Sequence, residues 1–137
     1  MDKGYRLDVL ARIEGAEFEY VPYREVHFGK EAPVPGYCHQ NVDAWVQLNP
    51  GNHAVRGWAG NDGNSHTAHS VVQDEEGHLF DITLKLGAFQ FVRHTGCESD
   101  FMLLVENKNI HIYYPLDMIA RIASSNLEAF QRFSDPT

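Results

Sequence analysis

The spacing of hydrophobic and polar residues predicts a helix over residues 38–48. Its apolar residues recur at the i, i+3, i+4 positions of one helix face: Val42, Trp45 and Val46. Cys38 lies one turn before the first of these residues, on the same face. The NPGN segment at residues 49–52 ends this predicted helix. A shorter helix is predicted over residues 4–14, where apolar side chains also gather on one side.

Later in the chain, apolar residues alternate with polar ones or form short runs, and both patterns are typical of β-strands. The predicted strands are residues 54–60, 67–73, 78–84, 88–94, 101–106 and 110–114. An edge strand or extended arm is predicted over residues 16–28, because Pro22 interrupts the alternation there. The apolar residues predicted to form the core of the sheet are Phe89, Phe91, Leu103, Val105, Ile110 and Ile112. After Pro115 a helical spacing returns and predicts a last helix over residues 116–133.

These elements together predict an α+β fold. In this prediction an N-terminal helix carries the cysteine and packs on an antiparallel β-sheet of five or six strands, and a further helix closes the sheet. The chain of 137 residues contains no repeat, low-complexity tract or linker, so a single domain over residues 1–137 is expected.

The hairpin between the second and third predicted strands places a histidine beside an aspartate. In residues 73–79, a three-residue loop with Gly77 in the left-handed conformation pairs its flanking residues, Asp74 and His78. Continuing that ladder sets Val71 opposite Asp81. His69 and Asp81 then share one face as diagonal neighbours, with Cβ atoms roughly 7 Å apart. A four-residue loop would move Asp81 to the opposite face, so the contact depends on the register.

Composition and charge narrow the possible partners. The formal net charge is −8, and Lys and Arg are scattered, which argues against a nucleic-acid partner. No apolar run is long enough to cross a bilayer, and the first residues lack a hydrophobic signal core, so we expect no membrane association. With only Cys38 and Cys97, a reduced cytoplasmic protein is expected, although one disulfide between them remains compatible with the sequence.

A cysteine at a helix start, followed by a histidine and an aspartate on neighbouring strands, fits a cysteine acyl-transfer triad. The helix N-terminus and an imidazolium both stabilise a thiolate, so Cys38 is the candidate nucleophile. His69 is the candidate base, and Asp81 would fix the orientation and tautomer of its ring. The backbone N–H of Cys38 is a natural donor to an oxyanion, with Tyr37, Gln40 and Asn41 as weaker candidates for a second donor.

At these residues the chain resembles the transglutaminase-like branch of the papain-like cysteine superfamily. The matching segments, in order, are Gly36-Tyr37-Cys38, Arg56-Gly57-Trp58, His69 and Asp81-Ile82-Thr83. The resemblance implies acyl transfer from a protein or peptide amide through a thioester at Cys38. The reactions that it implies are peptide or isopeptide hydrolysis, glutamine deamidation and transamidation. It implies no metal and no organic cofactor.

Four residues are candidate substrate-binding residues: Tyr37, Gln40, Arg56 and Trp58. Trp58 would line the cleft or belong to the core, and Arg56 would bind substrate or neutralise a buried acid. His39 is expected to point away from the cysteine, towards solvent or the lip of the cleft, if the helix is regular.

Two other interpretations remain open at this point. In the first, the same fold is a non-catalytic binding or inhibitory module that buries Cys38. In the second, His66, His69 and His94 serve a metal-dependent hydrolase. The odd separation of His66 and His69 sends them to opposite faces of a strand, and no Cys-x-x-Cys pair is present, so a metal site is disfavoured.

Overall fold

The structure is a computed structural model that describes residues 1–60 and 63–121. The helices and strands complete within these ranges are α1 (Lys3–Glu14), β1 (Glu19–Pro22), α2 (Cys38–Leu48), β2 (His53–Gly60), β3 (Ser65–Gln73), β4 (Leu79–Phe80), β5 (Ala88–Arg93), α3 (Glu98–Glu106) and β6 (His111–Tyr113). A further helix begins at residue 116 and is described as far as residue 121. The remainder of the predicted last helix lies outside the described residues. The α+β class is confirmed.

The six strands form one antiparallel sheet with the order β1-β5-β2-β3-β4, and β6 also pairs with β3. β2 occupies one edge of β3 along residues 67–73. The other edge is shared, because β4 pairs with residues 72–73 and β6 pairs with residues 65–67. The part of β3 between these two short partners contains His69 and Ser70, and helix α2 packs against this strand.

Helix α2 is held on the sheet by its apolar face. Val42 is fully buried and packs with Val72 of β3 and Phe80 of β4. Because this contact lies one turn after Cys38, it fixes the first turn of the helix over the middle of β3.

Two details of the predicted architecture are wrong. The helix that carries Cys38 is the second helix of the chain, because α1 and β1 precede it. The predicted strand over residues 101–106 is part of helix α3, since a short apolar run fits a strand and a helix equally well. Glu98 and Asp100 in the first turn of α3 favour the helix, and Leu103 is 55% exposed and therefore outside the core.

The hairpin between β3 and β4 has the predicted register. The backbone N–H of Asp74 donates to the carbonyl of His78 over 2.9 Å, and Gly77 has a φ of +88°. The predicted edge strand is also confirmed, as β1 ends at Pro22 and pairs with β5 alone among the named strands.

Candidate active site

A tight turn delivers the chain to the start of helix α2. The backbone N–H of Tyr37 donates to the carbonyl of Val34 over 3.2 Å, and Gly36 has a φ of +83°. Proline followed by glycine with positive φ at the centre of a turn is the signature of type II. The turn ends one residue before Cys38, which is the first residue of α2.

The side chain of Asn41 ties this turn to the helix and to the segment after β4. Its Oδ1 accepts the backbone N–H of Val34 over 3.0 Å, and its Nδ2 donates to the carbonyl of Val34 over 2.9 Å. Nδ2 also donates to Oγ1 of Thr83 over 3.0 Å. Asn41 is buried. Because both of its amide protons are used, it positions the turn and is not a free donor to an oxyanion.

His69 and Asp81 are in direct contact, as their predicted shared face requires. His69 Nε2 lies 2.9 Å from Asp81 Oδ1. The Asp81 carboxylate is fully buried and also accepts the backbone N–H groups of Thr83, over 3.1 Å, and Leu84, over 2.8 Å. The His69 ring packs edge-on against Phe89. These contacts fix both the carboxylate and the plane of the imidazole.

The Cys38 thiol lines the same cavity as the imidazoles of His69 and His39 and interacts with both rings. Since Nε2 of His69 faces Asp81, its Nδ1 is the nitrogen left for the sulfur. Burial raises the pKa of the Cys38 thiol, but its interactions with the two histidines outweigh burial and lower the pKa to about 6. Burial likewise lowers the pKa of His69, but the hydrogen bond to Asp81 and the interaction with Cys38 raise it to about 9. Between these values the pair is a thiolate and an imidazolium.

His39 turns towards β3, and the expectation that it points away from the cysteine is wrong. Its Nδ1 lies 2.6 Å from Oγ of Ser70, and its ring contacts Phe101 of α3 edge-on. Sequence spacing missed this residue because Ser70 lies on a strand remote in the chain. The only local signal was the adjacency of a histidine to the cysteine.

Arg56 lies behind Ser70, and its buried side chain pairs with two acids that are themselves exposed. Its Nη1 donates to Ser70 Oγ over 2.7 Å. Its Nε donates to Glu98 over 2.7 Å and its Nη2 to Asp43 over 2.5 Å. Arg56 therefore joins α2, α3 and β3, and neutralises two acids.

A cavity of about 370 Å³ opens beside the thiol. The residues of interest in its lining are Tyr37, Cys38, His39, Gln40, His69 and Lys108. Trp58 and Arg56 are not among its lining residues. Trp58 is 0% exposed, donates from Nε1 to Tyr5 Oη over 2.8 Å and packs on Phe101.

The three histidines of the metal interpretation are used separately. His66 Nδ1 is bonded to the Tyr114 hydroxyl, and His94 Nδ1 is bonded to the Tyr5 hydroxyl. Within residues 1–60 and 63–121, no group of three His, Cys, Asp or Glu side chains is placed to hold a metal ion. Both cysteines are free. In the same part of the chain, no helix has the length and apolar character needed to cross a membrane.

Comparisons with known proteins found no counterpart. No family model matches the chain, and neither a curated protein nor a solved structure matches it.

Proposed function

We propose that the protein is a cysteine-dependent acyl-transfer enzyme of papain- and transglutaminase-like architecture that acts on an amide of a protein or peptide. The observation that carries this proposal is the hydrogen bond between His69 and the buried Asp81, with His69 and the Cys38 thiol lining one open cavity. Cys38 is the nucleophile, His69 is the general acid and base, and Asp81 orients His69.

The first half of the reaction forms a thioester. The Cys38 thiolate attacks the amide carbonyl carbon and forms the C–S bond, while the carbonyl oxygen becomes an oxyanion. The first intrahelical bond runs from the N–H of Asn41 to the carbonyl of Tyr37. The N–H of Cys38 precedes that bond and is therefore available to the oxyanion. His69 then gives its Nδ1 proton to the leaving nitrogen as the C–N bond breaks.

The second half returns the enzyme to its starting state. His69, now neutral, takes a proton from water as the oxygen attacks the thioester carbonyl. The C–S bond breaks, and the thiolate and the imidazolium are restored. The net reaction adds one water to one amide, and an amine in place of water gives transamidation. We favour hydrolysis, because one small cavity serves a single acyl substrate better than two separately bound ones.

The geometry favours an enzyme over a non-catalytic module that buries the cysteine. Cys38 is only partly buried and lines the cavity, so a carbonyl group can reach the sulfur. Both cysteines are free, as is usual in a reducing compartment, so the proposal includes a cytoplasmic location.

The test compares three products of a mixed peptide library. New α-amines report hydrolysis, a gain of about 1 Da at glutamine reports deamidation, and incorporation of a fluorescent primary amine reports transamidation. Cys97 is exposed and outside the cavity, so Cys97→Ser is the matched control for Cys38→Ala. One product class should appear with wild type and Cys97→Ser and vanish with Cys38→Ala. Absence of all three, with a thiol that iodoacetamide labels only after denaturation, would refute the proposal.

A further inference from the structure

We propose that His39 is a second catalytic imidazole, which donates a hydrogen bond from Nε2 to the Cys38 sulfur, and that Ser70 and Arg56 hold its ring in the orientation and tautomer for this. The inference rests on the proposed function, because it assigns a further role at the same thiol. The hydrogen bonds that support it do not include the His69–Asp81 contact.

The tautomer of His39 follows from the hydrogen bonds around Ser70. A guanidinium has only donors, so Ser70 Oγ must accept from Arg56. The hydroxyl has one proton of its own and is fully buried. Among the described residues, the remaining bond of this oxygen is the one to His39 Nδ1, so the hydroxyl proton points there. Leaving that proton without an acceptor would cost about 1–3 kcal/mol.

Accepting a proton at Nδ1 places the ring proton of a neutral His39 on Nε2. Since Nδ1 faces Ser70, Nε2 is the nitrogen left for the Cys38 thiol, which lines the same cavity as the ring. The edge-on contact with Phe101 keeps the ring in this plane.

The two histidines therefore present different groups to the Cys38 sulfur: His69 presents a hydrogen-bond acceptor and His39 presents a donor. When His69 is neutral, its Nε2–H donates to Asp81 and its Nδ1 lone pair faces the thiol, so His69 can accept the thiol proton. His39 already has a proton on the nitrogen that faces the thiol, so it can only donate. This difference assigns proton transfer to His69 and stabilisation of the thiolate to His39.

The charged groups near the thiol come from several elements. Lys108, in the segment after α3, lines the cavity, and Asp81 lies behind His69. Arg56 of β2 lies behind Ser70, with Asp43 of α2 and Glu98 of α3 on its other nitrogens. Arg56 reaches His39 through the Ser70 hydroxyl, to which both side chains are hydrogen-bonded.

A donor on the sulfur acts twice in the proposed cycle without moving a proton. It stabilises the thiolate before attack, and it stabilises the departing thiolate when the thioester C–S bond breaks. Its loss should therefore slow acylation and deacylation together, whereas loss of His69 also removes the proton transfer.

The experiment measures alkylation of Cys38 by iodoacetamide against pH, in a Cys97→Ser background. His39→Ala should raise the apparent pKa of the thiol from about 6 by roughly one to two pH units, as expected for losing one charge-assisted hydrogen bond. Ser70→Ala should raise it less, because His39 stays but its tautomer is no longer held. The double variant should match His39→Ala, because both act through one bond. His39→Gln, whose amide can donate near the Nε2 position, should restore part of the effect.

Nitrogen-15 NMR of the imidazole rings gives a second readout that a purely structural role of His39 would not produce. His39 should show a protonated Nε2 and an unprotonated Nδ1, and its signals are assigned by their loss in His39→Gln. A protonated Nδ1, an unchanged thiol pKa in folded His39→Ala, or additive effects of His39→Ala and Ser70→Ala would each overturn the inference. Failure of the proposed function is distinct, because the thiol would then titrate as described while no acyl product forms.

Discussion

Replacing Asp81 by asparagine tests whether a buried carboxylate sustains the ion pair of Cys38 and His69. The pKa of His69 is raised from 6.5 to about 9, a rise of about 2.5 pH units, which corresponds to about 3 kcal/mol. Burial opposes this rise, and the hydrogen bond to Asp81 is the largest contribution in its favour. Asparagine keeps an oxygen that can accept a hydrogen bond but loses the charge. We therefore expect the pKa of His69 to fall by at least about one pH unit.

The sign of the effect on pH dependence follows directly. In the wild type the reactive thiolate and imidazolium coexist from about pH 6 to about pH 9. In Asp81→Asn, His69 loses its proton at a lower pH, so the upper end of this range moves down. The lower end should stay near pH 6 as long as the pKa of His69 remains above that of the thiol, because the imidazolium is then still present beside the sulfur. Turnover on the substrate class found with the library should fall by about 10²-fold or more, the usual size of a general acid–base contribution.

The assay combines two measurements on one set of proteins in the Cys97→Ser background. Alkylation rates of Cys38 from pH 4 to 10 locate the lower limit, and NMR titration of the His69 ring locates the upper one. Asp8→Asn is the matched control, because Asp8 is a half-exposed acid paired with Arg12 on the surface. Urea unfolding checks that the variant is folded, since Asp81 also accepts two backbone N–H groups. A folded Asp81→Asn in which His69 still titrates near 9 would refute the reasoning.

Three further predictions concern the frame of the site. Asn41→Ala should lower the free energy of unfolding by about 1–3 kcal/mol and slow alkylation of Cys38, because it removes three hydrogen bonds around the turn; equal alkylation rates would contradict its positioning role. Gly36→Ala should destabilise by about 1 kcal/mol through its positive φ alone, whereas Gly87→Ala, with open space around it and no positive φ, should be neutral in the same thermal unfolding assay. Trp58→Phe should lower the free energy of unfolding by about 1–3 kcal/mol, because the Tyr5 hydroxyl loses that donor and the smaller side chain leaves a gap in the core. The pH profile of Cys38 alkylation should not change, and a shifted profile would indicate that Trp58 contributes to the site.

The elements that sequence predicted well are those with strong local signals. The spacing of Val42, Trp45 and Val46 gave α2 with Cys38 at its start, and the three-residue loop fixed the register that joins His69 to Asp81. These contacts are determined by residues close together in the chain and by the alternation of side chains in a hairpin, so they could be predicted without knowing how distant segments pack.

The parts that sequence missed depend on contacts between remote segments. The apolar run at residues 101–106 has no period that separates strand from helix. The turn of His39 towards Ser70 depends on where α2 lies on β3, and the burial of Trp58 depends on α3 packing over it. The cavity arises where α2, β3 and the segment after α3 meet, so its lining cannot be read from any one of them.

A sulfur that is ionised at neutral pH and faces an open cavity is also open to oxidants. Peroxide attacks the thiolate form, so Cys38 is the residue expected to become a sulfenic acid first, and stronger exposure would carry it to the irreversible sulfinic acid. The protein should therefore keep its reactive thiol only when purified and stored with a reductant and without air.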